Sequence, residues 1–282
     1  MSHEQVTETI KGLLGTQFDA LPVFHPVALK LQRMLASNDF TVYEVADVAT
    51  EDQALASQML KVANAPLYAG RTKVATLKEA ITRLGAQQII NIAFAASQAS
   101  AHATHNPHLA SYLEALWLHS HAAAVGARWL SCACGLAAMA DQLYLAALLH
   151  DVGKLYVLKA IENLFQNGEL KALPDRQVLL DTFAAMHVEQ GYQLLKRWDF
   201  PDLYCEVVRD HHLDQLDPLN KMLAVVRFVN LTCHKIGVGL QKDPDLDLLV
   251  TPESTVLEVS QSLVDELVAV LLESSLWSRG IA

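Results

Sequence analysis

The chain has 282 residues, 52% of them hydrophobic, and a formal charge of -10. That length can bury a large core, so one or two folded domains are expected and dominant disorder is excluded. The acidic balance leaves no basic stripe to neutralise phosphates, which argues against nucleic acid and anionic membrane as partners.

Helical periodicity runs the length of the chain. The first helix predicted from pattern spans about Pro26 to Ala36, with proline at a favourable first helical position. Thr41 and Glu44 form a capping box that opens a short helix through Val45 and Val48. A third covers Asp52 to Asn64 and is halted near Pro66. Thr76 and Glu79 form a second capping box, and Leu77, Ala80, Ile81 and Leu84 follow helical spacing up to Gly85. Further helices are expected over Ile89–Ser100, Leu109–Ser131, Leu143–Leu149, Arg176–Arg197, Asp202–Leu213 and Leu219–Ile236. The last begins after Thr251-Pro252 and runs to about Leu276. Asn163–Arg176 and Gly237–Pro252 read as loops. No alternating segment and no Asn-Gly or Asp-Gly hairpin signal supports a strand, so the fold class is all-α. The character of the chain changes near Ala101–Pro107: short helices precede it, and long helices rich in histidine follow.

The polar start, Met1-Ser2-His3-Glu4-Gln5, has no apolar stretch of the kind a secretory signal needs. No apolar run approaches about 20 residues, so no membrane span is expected and the cytoplasm is the expected location. The four cysteines, Cys132, Cys134, Cys205 and Cys233, lack paired metal-knuckle spacing. They fit a reducing compartment and are read as small buried apolar side chains.

The string Leu148-Leu149-His150-Asp151-Val152-Gly153-Lys154 carries the chemistry. An apolar helix that ends in two polar groups needs partners for them, and a metal ion supplies both. His119, His187, His211 and His212 add imidazoles that helices can aim inward from different sides of a bundle. Imidazole with carboxylate suits iron, manganese, zinc or nickel, one ion or two, better than magnesium or calcium. Each histidine alone reads more often as a satisfied surface or core residue than as a ligand. His119 and His121 stand two apart and face different directions, so only one of them is expected at a shared site. His3, His25, His102, His105, His108 and His234 are read as ordinary side chains. Lys154 reads either as a point charge that holds a phosphate or as a solvated lysine in the next helix. Trp117 and Trp198 read as core anchors.

In order, these phrases resemble the HDOD family, the HD-related output domain of bacterial signalling. The resemblance covers roughly residues 17–240. Leu21-Pro22, Glu51-Asp52-Gln53-Ala54-Leu55, Leu60-Lys61-Val62-Ala63-Asn64-Ala65 and Leu77-Lys78-Glu79-Ala80-Ile81 with Leu84-Gly85 carry it in the first half. Gln53 stands where the family has proline, and Ala65 where it has serine. Trp117-Leu118-His119-Ser120, Ala147 to Lys154, His187 with Gly191, Trp198-Asp199-Phe200-Pro201 and His211-His212 carry it in the second. The second half also resembles the catalytic HD superfamily. That likeness implies metal ligands at His119, His150, Asp151, His187, His211 and His212, with Lys154 as a catalytic group. The superfamily's final aspartate falls near Asn230, and the Gly-Tyr-Pro motif of cyclic dinucleotide phosphodiesterases is missing.

The implied organisation is an N-terminal helix at 1–16, an N-terminal helical part at 17–107, an HD-like bundle at 108–240, and a C-terminal loop and helix at 241–282. The implied role is a signalling module that binds a partner protein or a small phosphorylated ligand. The alternative is a metal-dependent phosphohydrolase acting on a nucleotide or phosphoester.

Overall fold

A computed structural model describes residues 8, 10–12, 24–37, 40–64 and 72–278, most of them in helices, with no strand among the described residues. The first part holds α1 (Pro26–Ser37), α2 (Val42–Ala49), α3 (Gln53–Ala63), α4 (Leu77–Leu84) and α5 (Ala86–Ala101). The second holds α6 (Pro107–Ala133), α7 (Ala140–Leu149), α8 (Val152–Gln166), α9 (Arg176–Arg197), α10 (Asp202–Asp210) and α11 (Lys221–Ile236), followed by α12 (Pro252–Leu257) and α13 (Gln261–Ser278). Of the expected helix at 1–16, only residues 8 and 10–12 are described, and they are helical. Leu21-Pro22, Ala65 and Pro66 lie outside the described residues.

Local chemistry starts these helices where the sequence places the signals. The Thr41–Glu44 box is closed in both directions, and Thr76 accepts from the Glu79 amide. Asp52 and Asp175 cap α3 and α9 by accepting backbone amides.

Beyond shifts of a few residues at other helix ends, three features differ from expectation. The helix α8 runs through Asn163 to Gln166, because Leu164 is still a buried core position and carries the turn past the asparagine. The expected Gly237–Pro252 loop contains a short 3-10 turn at Leu248–Val250. The single helix expected after Thr251 is two, broken at Glu258, which adopts a left-handed backbone (φ 54). No glycine or proline marks that break.

Within the first part, α5 is the central helix and is buried on nearly every side. It is tied to α7, the helix that leads into His150, by two amide side chains. Asn91 Nδ2 donates to Asp141 O at 2.9 Å, and Gln98 Nε2 donates to Leu148 O at 3.3 Å. The 27-residue α6 packs along α7, α11 and α13 and so forms the spine of the second part. Trp117 is buried on α6, and Trp198 packs on Phe24 with ring centroids 5.0 Å apart.

The crossing of α8 and α9 depends on two glycines. A Cβ at Gly153 would fall 1.8 Å from His187 O, and one at Gly191 would meet Val208 Cγ1 at 2.9 Å and Gly153 N at 3.1 Å. Only glycine lets these backbones approach so closely. The approach sets His187 beside Asp151.

Candidate metal centre

Three helices and one helix junction bring the expected site residues together. His119 comes from the middle of α6, and His150 and Asp151 from the α7–α8 junction. His187 comes from the middle of α9, and His211 from the end of α10. Asp151 occupies the N-cap of α8 yet accepts no capping hydrogen bond, so its carboxylate is left for the cluster.

The imidazoles are oriented from behind. His150 Nδ1 donates to Ala147 O at 2.7 Å, and His211 Nδ1 donates to Val208 O at 2.8 Å. His187 Nδ1 donates to Phe183 O at 2.6 Å, and His119 Nδ1 donates to Val238 O at 3.1 Å. A carbonyl only accepts, so each Nδ1 carries its proton, and Nε2 is the nitrogen each ring can offer to an ion as a lone pair.

Those four Nε2 atoms face one carboxylate. Asp151 Oδ2 lies 3.3 Å from His119 Nε2 and 3.4 Å from His150 Nε2. Asp151 Oδ1 lies 3.5 Å from both His187 Nε2 and His211 Nε2. The Nε2 atoms of His119 and His150 are 3.2 Å apart, and those of His187 and His211 are 3.4 Å apart. Two lone pairs facing each other repel unless a cation or a proton lies between them. Asp151 Oδ1 is also buried without a hydrogen-bond partner. The donor atoms fall into two sets that share Asp151. One is His119, His150 and Asp151; the other is Asp151, His187, His211 and His212, with all atoms in each set within 4.8 Å of one another. This chemistry fits a divalent metal: buried neutral imidazoles around an anionic carboxylate, each ring held by a main-chain acceptor. His212 is the outlying member, exposed, with its ring 4.1 Å from that of His211.

The electrostatics agree with the geometry. Burial pushes the Asp151 carboxyl up, but Lys154 and then His150 hold it well below the usual carboxylate range. Burial drives His150 well down and takes His187 down to about 4. His119 runs the other way. Burial pushes it down, but hydrogen bonds to Asp151 and Cys233 raise it to about 10.

Lys154 is not a solvated side chain. Its Nζ donates to Asp151 Oδ2 at 2.6 Å, and the side chain is 13% exposed. His121 points elsewhere, its ring 5.2 Å from that of Trp117. Asn230 is buried on α11 with Oδ1 lacking a hydrogen-bond partner. The α11 side chains that meet His119 are Cys233, which bonds to it, and His234, whose ring stacks on it at 5.9 Å. His234 is therefore not the ordinary side chain expected from the sequence. Its signal was its spacing, four residues after Asn230 on one helix face. Of the cysteines, Cys205 and Cys233 are buried, but Cys132 is exposed and Cys134 partly so, because both sit at the C-terminal end of α6.

Above the cluster lies a cavity of about 240 Å³ that reaches His119, Asp151, Lys154, His187, His212 and His234. The HDOD domain model matches residues 21–213, which takes in the whole cluster. The chain belongs to the HDOD family. An HDOD domain protein with unknown function from Geobacter sulfurreducens superposes with a TM-score of 0.74 at 21% identity, over 100% of this chain and 99% of that one. A protein from Shewanella amazonensis SB2B, described as a candidate metal-dependent phosphohydrolase, superposes with a TM-score of 0.73 at 21% identity, over 99% and 98% of the two chains. An uncharacterised protein of Treponema pallidum (strain Nichols) is 23% identical over 234 residues, 80% of this chain and 44% of that protein, so this HDOD chain spans less than half of that relative's length. Among the described residues, no helix is long and apolar enough to cross a membrane.

Proposed function

We propose that this HDOD chain is a bacterial signalling module that binds and relays, built around a metal centre held by His119, His150, Asp151, His187, His211 and His212. One observation carries the metal reading. Four Nδ1–H groups spent on main-chain carbonyls leave four Nε2 lone pairs aimed at a single buried carboxylate. Iron, manganese, zinc or nickel matches this donor set, as one ion or as two sharing Asp151. A bound ion would supply Lewis acidity to an anionic ligand in the cavity. Lys154 adds a positive charge at the cavity floor, and Asp151 keeps the donor set anionic. The relay reading follows from the family's role as an output domain and from Asn230, which brings no charge where the catalytic relatives place an aspartate. The ligand of the module is a partner protein or a small phosphorylated molecule.

The test is thermal unfolding of the full chain with and without each divalent ion. An ion at about 100 times its dissociation constant adds about 3 kcal/mol of stability. A raised midpoint in the wild type, lost in His150→Ala, supports the centre. Equal responses in both proteins refute it.

The second reading is a metal-dependent phosphohydrolase, favoured by the cavity and Lys154 beside the cluster. A phosphatase and phosphodiesterase screen on metal-loaded protein separates the two. Weak or absent turnover is expected. Robust turnover abolished by Asp151→Ala would make the chain an enzyme.

A further inference from the structure

We infer that the cavity over the histidine cluster takes a ligand with one phosphate and a compact apolar body, and that the segment 237–241 sets this selectivity. The inference deepens the reading of the metal centre and rests on it.

The cavity measures about 240 Å³, below the roughly 300–1,000 Å³ of pockets that hold drug-sized ligands. A nucleotide brings a ribose and a base beside its phosphate and belongs to that larger class. The walls are apolar: Leu116, Leu180, Phe183, Ala184, Val188 and Leu240. Phe183 is only 2% exposed, so it offers no broad ring face on which a base could stack. Outside the cluster, Lys154 is the charged side chain that lines the cavity. Positive charge can reach the ligand only at Lys154 and the cluster it borders, and the other walls offer none to the second phosphate of a cyclic dinucleotide or to a polyphosphate chain.

The wall opposite α9 is the strap that follows α11. The helix ends at Gly237 in a left-handed turn (φ 76), and the chain doubles back over His119. Val238 O accepts the His119 Nδ1 proton at 3.1 Å. Gly239 (φ 121) lies flat on the ring, where a Cβ would meet His119 Cβ at 3.1 Å. Leu240 and Gln241 then line the cavity, and Arg176 donates to Leu240 O at 2.9 Å. The strap is thus pinned to α6 on one side and to α9 on the other. It lies beyond residue 213, where the match to the HDOD model ends. Leu240 closes the apolar wall here, and Gln241 lines the cavity beside it as an uncharged polar side chain.

The experiment is calorimetric titration of the full chain, as purified and after manganese loading, with phenyl phosphate, inorganic phosphate, adenosine monophosphate and cyclic di-GMP. Phenyl phosphate is expected to bind about tenfold or more tightly than the others, the scale of selection a shaped apolar pocket provides. Leu240→Ala should cut the preference for phenyl phosphate over adenosine monophosphate about tenfold. Leu180→Ala, on the opposite wall, repeats the test if the first variant fails to fold. Either nucleotide binding as tightly as phenyl phosphate, a preference unmoved by the wall variant that folds, or no phosphate binding at all overturns the inference. Metal content is measured on the same samples. Protein that loads no metal yet still ranks phenyl phosphate first keeps the pocket assignment and sinks the metal reading. Metal-loaded protein that prefers a nucleotide does the reverse.

Discussion

At the residue scale, the carbonyl behind each histidine matters as much as the ring. Gly239 places the strap so that Val238 O can hold His119. Gly239→Ala puts a side chain against that ring at a backbone angle alanine resists. Loss of such a supporting contact typically costs 10- to 100-fold in metal affinity, so a drop of about tenfold is expected in a chelator competition assay. Unchanged affinity would show that the strap does not position His119. His102 offers an independent test of burial. It is driven down to about 4 by burial, whereas it titrates near 6.5 when unfolded. The unfolded chain therefore binds the extra proton, and stability from this group is complete above pH 6.5 and drains away as pH falls toward 4. The expected loss is about 2 kcal/mol by pH 5 relative to pH 7. Urea unfolding at both pH values reads it, and His102→Gln should flatten the slope by that amount.

At the element scale, the contact between α8 and α9 decides whether Asp151 and His187 meet. Gly153→Ala drives a methyl into His187 O, a backbone atom that cannot swing aside. The expected cost is about 3 kcal/mol or more, with loss of metal binding, read by denaturant unfolding and metal content. Gly191→Ala meets chiefly the end of the Val208 side chain and is expected to be milder. Equal effects of the two would contradict this account of the crossing. The elements themselves were largely legible in the sequence, because capping boxes and apolar spacing are local. Thr41 with Glu44 and Thr76 with Glu79 open their helices as written. The end of α8 and the break between α12 and α13 were not legible. Leu164 keeps α8 going through tertiary burial, and Glu258 takes a left-handed turn with a side chain that gives no advance signal.

At the scale of the whole molecule, five helices and a strap close around one carboxylate. The order of histidines along the chain announced the cluster, but not its wiring. The main-chain acceptors that orient the rings have no side-chain identity to read, and Val238 lies 119 residues from the His119 it holds. His234 was missed for the same reason: its stacking on His119 exists only once α11 packs beside α6. The division between the helical part before residue 107 and the bundle after it remains a proposal about folding units, and the α5–α7 amide bonds join the two across that boundary. The central claim is that this buried cluster is a metal centre. Elemental analysis of the purified full chain beside Asp151→Ala tests it most directly. The account expects at least one divalent transition metal per wild-type chain and a large loss in the variant. Wild-type protein that stays free of metal after incubation with iron, manganese, zinc and nickel would contradict it and leave the cluster a structural remnant.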